Sequence, residues 1–318
     1  MKAAVLTAPR TIELVDTEVP PVGPGQARLR ILQCGVCTSE LDLWTGRDPA
    51  ALPTRIGHEI AGVVEETGPG VSGLAPGQRV AAWVPGGGFA EQAVVEERFC
   101  VPVAPHVTFP AVAEPLACVV NAVELAAPAL ADDVVIIGAG FMGALVQMVT
   151  GLKGPRTVTM ADLRNDALDR AGKLGATRVV NTATESLTDA IGEVTDGIGA
   201  DLSYEITGVS EGLRAAGDAT RMSGKVCVVA YHQGGTREIP LGRWNWMAFH
   251  IVNAHFRDID TIMRGMRAGM RLVNAGILDV AGLMTHTFPL ASIAEAFEIA
   301  SARPEHFVKA VVEPGTLS

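Results

Sequence analysis

Ten residues constrain the fold of this 318-residue chain more than any others: Val134-Val135-Ile136-Ile137-Gly138-Ala139-Gly140-Phe141-Met142-Gly143. A β-branched run this short, closed by Gly-x-Gly-x-x-Gly and followed by a helical pattern over residues 143–152, reads as strand, tight turn and helix. Gly138 allows the turn and Gly140 lets a pyrophosphate approach the backbone. Gly143 lets the helix sit close to the sheet, with its N-terminus facing the anion. Phe141 and Met142 belong to the same turn and so to the same dinucleotide site. A glycine-rich turn alone is a weak signal; its place between a strand and a helix gives it weight. Asp162 ends the next strand, 19 residues after Gly143. A carboxylate there accepts hydrogen bonds from the adenosine ribose hydroxyls and repels a 2′-phosphate, which favours NAD over NADP. Arg164, two residues on, is the group that would accommodate the phosphate instead.

The surrounding pattern extends this unit. Short apolar strands at 134–137, 157–161, 178–180, 201–206, 226–230 and 251–254 alternate with helical stretches such as 167–174 and 212–221. Six strands with intervening helices make the α/β class and the doubly wound parallel sheet of the Rossmann type. The first ~115 residues differ, being rich in Pro, Gly and short alternating runs, with strands at 27–32, 60–64 and 79–84. Pro-Gly pairs at 24–25, 69–70, 76–77 and 85–86 punctuate them as turns. After about residue 255 come a helix (259–274), an extended stretch (285–290), a helix (291–302) and a strand (308–312). This tail is too short for a domain and is expected to return to the N-terminal unit. The expected organisation is a β-rich domain over 1–116, a dinucleotide domain over 117–254, and a returning segment over 255–318.

A net charge of −10, with no run of Lys and Arg, argues against a nucleic-acid surface. The most apolar region, residues 111–150, is interrupted by Glu114, Asn121, Glu124, Asp132, Asp133, Pro115 and Pro128. It therefore reads as core rather than as a membrane span. The apolar run at the N-terminus is too short for a signal peptide. Cys34, Cys37, Cys100, Cys118 and Cys227 form an odd set without a disulfide framework, which fits a reducing compartment and a cytoplasmic protein.

Cys37, His58, Glu59 and Glu114 all precede the dinucleotide turn. Each has a plain reading by itself. Cys34-x-x-Cys37 is a redox pair or two buried thiols, Gly57-His58-Glu59 a surface turn or a satisfied histidine, and Glu114-Pro115 a helix start. Together, thiolate, imidazole and carboxylate suit zinc. A Lewis acid beside a hydride acceptor is a complete kit for oxidising an alcohol.

With these residues in place the chain resembles the medium-chain dehydrogenase/reductase superfamily, and within it the zinc-dependent alcohol and polyol dehydrogenases. Gly35-Val36-Cys37-Thr38-Ser39 is similar to that family's Gly-Ile-Cys-Gly-Ser box and Gly57-His58-Glu59 to its Gly-His-Glu box. Ala113-Glu114-Pro115-Leu116 resembles the Glu-Pro-Leu of the sorbitol and threonine dehydrogenase branch. Gly175-Ala176, Phe288-Pro289-Leu290 and Lys309-Ala310-Val311-Val312-Glu313 carry the likeness along the chain.

The resemblance implies a GroES-like catalytic domain ahead of the Rossmann domain, and hydride transfer between a secondary alcohol, polyol or cyclitol and NAD. It implies Cys37 and His58 as zinc ligands, Glu59 as a third or exchangeable ligand, and Glu114 where other alcohol dehydrogenases have cysteine. Ser39 would relay the substrate proton, and the subunits would form a homodimer or homotetramer through the edge of the nucleotide-binding sheet. Two departures stand out. The four-cysteine lobe that holds a structural zinc is missing, since Trp83-Val84 passes through Pro85-Gly86-Gly87-Gly88 straight to Phe89, so one catalytic zinc per chain is expected. Asp42 replaces the histidine that ends the proton relay, so the proton goes to Asp42 itself or to water. Trp44 and Arg47 are candidates for the substrate pocket, and Arg47 would suit an anionic substrate. Tyr231-His232 and residues 243–246 fall where the family makes cofactor or subunit contacts. The competing readings are a zinc-free reductase of enones or quinones and a non-catalytic NAD-binding protein.

Overall fold

The structure, a computed structural model, describes residues 1–47, 52–108, 113–232 and 235–315. The first two residues of the apolar region, 111 and 112, lie outside the described residues. Two compact units divide the chain, Met1–Ala117 with Met266–Ser318, and Cys118–Gly265.

The first unit begins with strands β1 (Lys2–Ala8), β2 (Thr11–Asp16) and β3 (Gln26–Gly35) and helix α1 (Thr38–Trp44). Strands β4 (Thr54–Arg55), β5 (Glu59–Thr67), β6 (Arg79–Trp83), β7 (Gln92–Glu96) and β8 (Cys100–Pro102) follow. β2, β1 and β4 form a small antiparallel sheet; β3, β5, β6 and β8 run side by side in a larger one, with β7 also on β3. Period-two alternation explains β3. Ala27, Leu29 and Ile31 are fully buried on one face, while Arg28 and Arg30 point outward to Glu66 and Glu65 of β5 at 2.9 and 3.4 Å.

Helix α2 (Ala113–Ala126) contains the boundary to the second unit. There β9 (Asp133–Ile137), α3 (Phe141–Gly151), β10 (Thr157–Asp162), α4 (Asn165–Lys173) and β11 (Arg178–Asn181) alternate. They continue as α5 (Leu187–Val194), β12 (Ala200–Glu205), α6 (Ser210–Ala219), β13 (Thr220–Val228), α7 (Leu241–Trp246) and β14 (His250–Asn253). The strand order is β11-β10-β9-β12-β13-β14, and every pairing is parallel. This is the doubly wound arrangement, with its switch point between β9 and β12. All five residues of β9 are buried, as a parallel strand covered on both faces requires. One boundary differs from the sequence pattern: α6 stops at Ala219 and the strand begins at Thr220. The Thr220 hydroxyl donates to the Ala216 carbonyl at 2.6 Å and accepts from the Ser203 hydroxyl at 2.7 Å. These bonds tie the β-branched residue to the helix end and to β12.

Helix α8 (Ile259–Asn274) contains the second boundary, and β15 (His286–Pro289), α9 (Ile293–Ala302) and β16 (Ala310–Glu313) complete the first unit. β15 is parallel to β16, and β16 lies antiparallel to the end of β3, placing Val312 opposite Cys34 and Val311 opposite Gly35. The last segment of the chain thus flanks the strand that leads to Cys37. Phe297 of α9 packs against Trp44 (5.9 Å between ring centroids) and Phe89 (5.6 Å), closing the core behind α1. No described helix is long and apolar enough to cross a membrane.

Candidate metal centre and dinucleotide site

Cys37 stands at the N-cap of α1, directly after β3. His58 and Glu59 arrive from Gly57, whose φ of +102° is open mainly to glycine. A Cβ there would strike the backbone of Gly88 and Phe89, so the turn through these residues packs directly on Gly57 beside His58. A Cβ on Gly35 would in turn run into the Glu59 carboxylate. The result is convergence: one ligand atom each from Cys37, His58 and Glu59 lies within 4.8 Å of the others. Glu114, half-buried in the first turn of α2, is not one of these three.

Two residues whose role the motifs do not reveal organise this group. Glu40 is 5% exposed. Its Oε1 accepts from the Gly57 amide at 2.5 Å and lies 3.1 Å from His58 Nδ1, and its Oε2 accepts from the Cys37 amide at 3.2 Å. Nδ1 is thereby occupied and Nε2 is left for an ion. Burial works against a charged imidazole, but Glu40 and then the Cys37 sulfur outweigh it and hold His58 well above its ordinary pKa. A proton on this ring is what a bound divalent cation displaces. Lys309, buried beside β3, contacts Glu59 Oε2 at 2.6 Å and Oε1 at 2.9 Å. Burial opposes its charge, yet Glu59 and Cys37 more than compensate, and its pKa is raised. Glu40 has a trace in the sequence, the three-residue spacing of a capping box. The sequence marks Lys309 only within its closing family-like segment and not as a partner of Glu59, because strand pairing brings the two together across 250 residues.

The Ser39 hydroxyl donates to Cys37 Sγ at 3.3 Å, next to the ligand group. Asp42 pairs with Arg47 at 3.0 Å, so the two charges offset each other. Trp44, a candidate for the pocket, is 1% exposed and belongs to the core. Cys34 is buried outside the ligand group, and burial pushes its thiol well up, so it is a packed thiol. The donor set suits zinc, a borderline-soft ion that takes thiolate, imidazole and carboxylate together.

In the second unit Gly138 has φ of +103° and donates its amide to the Ala161 carbonyl at 2.8 Å. A Cβ on Gly143 would collide with the Gly138 carbonyl, whereas Gly140 faces open space. These are the tight turn, the close helix and the clear approach that a pyrophosphate needs. Phe141 and Met142 form the first turn of α3. Asp162 Oδ2 accepts from the Ala139 amide at 2.7 Å and Oδ1 from the Arg164 amide at 3.0 Å, while Arg164 Nε stands 3.8 Å from the same carboxylate. Arg170, which the motif does not reveal, donates to the Ala139 carbonyl at 2.6 Å and braces the turn from α4.

Comparison with known proteins agrees with both halves. The alcohol dehydrogenase GroES-like domain matches residues 23–105 and the zinc-binding dehydrogenase domain residues 142–275. The chain is 26% identical to an L-threonine 3-dehydrogenase of Pyrococcus horikoshii, covering 91% of this chain and 92% of that protein. It is also 26% identical to human sorbitol dehydrogenase, over 92% and 91% of the two chains. A zinc-binding dehydrogenase of Sinorhizobium meliloti bound to NADP shares the fold at TM-score 0.87 and 24% identity, over 98% of this chain and 99% of that one.

Proposed function

The chain belongs to the zinc-binding dehydrogenases with an alcohol dehydrogenase GroES-like domain, and we propose that it oxidises a secondary alcohol, polyol or cyclitol with NAD at one zinc. Cys37 and His58 would hold that zinc, with a carboxylate from Glu59 or Glu114 as third ligand. The observation that carries the reading is the convergence of Cys37, His58 and Glu59. Relatives along the whole chain are named for threonine and sorbitol, which supports an alcohol or polyol as substrate.

A zinc ion held by these donors supplies Lewis acidity toward an alcohol hydroxyl. The nicotinamide supplies the hydride acceptor. The protein's own groups do the rest. Glu40 orients the His58 ring, and Lys309 balances the charge of Glu59 in a buried setting. Ser39, hydrogen bonded to Cys37, is the first carrier of the substrate proton once its hydroxyl turns from sulfur to substrate. Asp42 is already engaged by Arg47, so the proton passes from Ser39 to water. Gly138, Gly140 and Gly143 seat the pyrophosphate at the N-terminus of α3, and Asp162 receives the adenosine ribose hydroxyls. Arg164 is the residue through which NADP would be admitted.

A panel of secondary alcohols, polyols and cyclitols, run with NAD and with NADP and accompanied by metal analysis, tests the proposal. Zinc-dependent turnover with NAD supports it. Reduction of enones or quinones by metal-free protein, or NAD binding with no turnover, overturns it.

A further inference from the structure

The carboxyl ends of β13 and β14 carry a group of side chains that the zinc and pyrophosphate sites do not use. It starts from Glu205, the fully buried last residue of β12. Its Oε1 accepts from the amides of Thr207 at 2.6 Å and Gly208 at 2.9 Å. Its Oε2 lies 2.7 Å from His232 Nε2. The loop after β13 is therefore pinned to the end of β12. Next to the pinned histidine, Tyr231 is 41% exposed. Its ring stacks on His255, just past β14, with centroids 4.8 Å apart and planes within 10°. Burial, and then Arg257, lower the His255 pKa, which keeps the stacked imidazole neutral near pH 7. The Arg257 guanidinium sits 5.5 Å from the Tyr231 ring centre, and its Nη2 donates to the Tyr231 hydroxyl at 3.2 Å.

Several arginines of this chain sit in ion pairs. Arg47, Arg221 and Arg243 each face a carboxylate, at 3.0, 2.7 and 3.1 Å. Arg257 forms no ion pair with a carboxylate among the described residues; a tyrosine holds it instead. A guanidinium fixed at one nitrogen, with the rest of its fork uncommitted, is a preorganised receptor for a planar or tetrahedral anion. Its place in the fold says which anion. Ligands of a doubly wound sheet bind outside the carboxyl ends of the strands, across the switch point. Asp162, at the end of β10, lies on the adenosine side of that point, so the ends of β13 and β14 lie on the nicotinamide side, where the alcohol must be presented.

We propose that Tyr231, His255 and Arg257 form a receptor for an anionic group on the alcohol substrate, a carboxylate or a phosphate, with Arg257 as the residue that recognises its charge. The proposal rests on the dehydrogenase reading and narrows it from neutral polyols to hydroxy acids or phosphorylated polyols. Arg47, the cation suggested by the sequence for this role, is already neutralised by Asp42.

Matched substrates test it. D-sorbitol, D-gluconate and D-sorbitol 6-phosphate are compared with NAD in the wild type, Arg257→Gln, Arg257→Lys and Tyr231→Phe. The wild type is expected to favour an anionic member, and which one it favours separates carboxylate from phosphate. Arg257→Gln should raise the ratio of the anionic KM to the sorbitol KM by about 10- to 100-fold, the loss of one charge-assisted hydrogen-bond pair. Arg257→Lys should restore part of it, since charge returns without the fork. Calorimetric titration of oxalate and of inorganic phosphate into the protein–NAD complex reads the receptor without turnover, with binding in the wild type and loss in Arg257→Gln. A wild type that favours sorbitol, a KM ratio unmoved by Arg257→Gln, a changed oligomeric state without a changed ratio, or no anion binding by the wild type overturns the proposal. A protein that binds the anions yet oxidises no alcohol refutes the dehydrogenase reading instead.

Discussion

Glu40 links three parts of the candidate metal centre through one buried carboxylate. It fixes the turn at Gly57, the amide of Cys37 and the ring of His58, so its charge sets how His58 is offered to an ion. Replacing Glu40 with Gln keeps the shape and removes the charge. Zinc affinity is expected to fall about 10- to 100-fold, the usual cost of losing such an outer partner. Competition with a chromophoric chelator measures it, and Glu40→Asp should recover part of the loss. Unaltered zinc affinity in Glu40→Gln would show that the carboxylate serves the turn alone. At this scale the sequence reveals what lies inside short motifs. Cys37, His58 and Glu59 sit beside glycines whose missing side chains make room for them. Lys309 was not legible as a partner of Glu59 because strand pairing brings the two together. Between a pocket and a packing role for Trp44, the structure gives packing, a choice the sequence leaves open because a helix of two turns does not announce which side faces the core.

At the scale of elements, α9 acts as the backing for α1. Phe297 fills the space between Trp44 and Phe89, and α1 carries Cys37 at its start. Phe297→Ala is expected to destabilise the protein by about 3–5 kcal/mol and to weaken zinc retention, since α1 loses its support. Urea denaturation and metal analysis after dialysis check the two effects; lost stability with undiminished zinc would show that α1 is held by β3 and β16 alone. The alternating strands and helices of the second unit were legible because burial on both faces writes continuous apolar runs such as residues 134–137. In the first unit β1, β2, β7 and β8 left no such mark. β2 and β7 mix exposed polar residues with half-buried ones, β1 buries small side chains at Ala3 and Ala4, and β8 is only three residues long.

At the scale of the molecule, β14 ends the parallel sheet, and its outer edge pairs with no other strand among the described residues. Ile251 on that strand is 51% exposed and Trp246 just before it is 79% exposed. An open edge flanked by exposed apolar side chains favours pairing with a second copy. Light scattering is expected to show a dimer or tetramer, and Ile251→Lys to shift it toward monomer; a monomeric wild type would contradict this. In the proposed reading one zinc, held from Cys37 and His58, makes this chain an alcohol dehydrogenase. Chelator-stripped protein titrated with zinc, in the presence of NAD and a substrate that it oxidises, puts this to the test. Turnover should be absent at the start, rise linearly and saturate at one zinc per chain, and Cys37→Ser should stay inactive throughout. Full turnover before zinc is added, or in Cys37→Ser, would contradict the account.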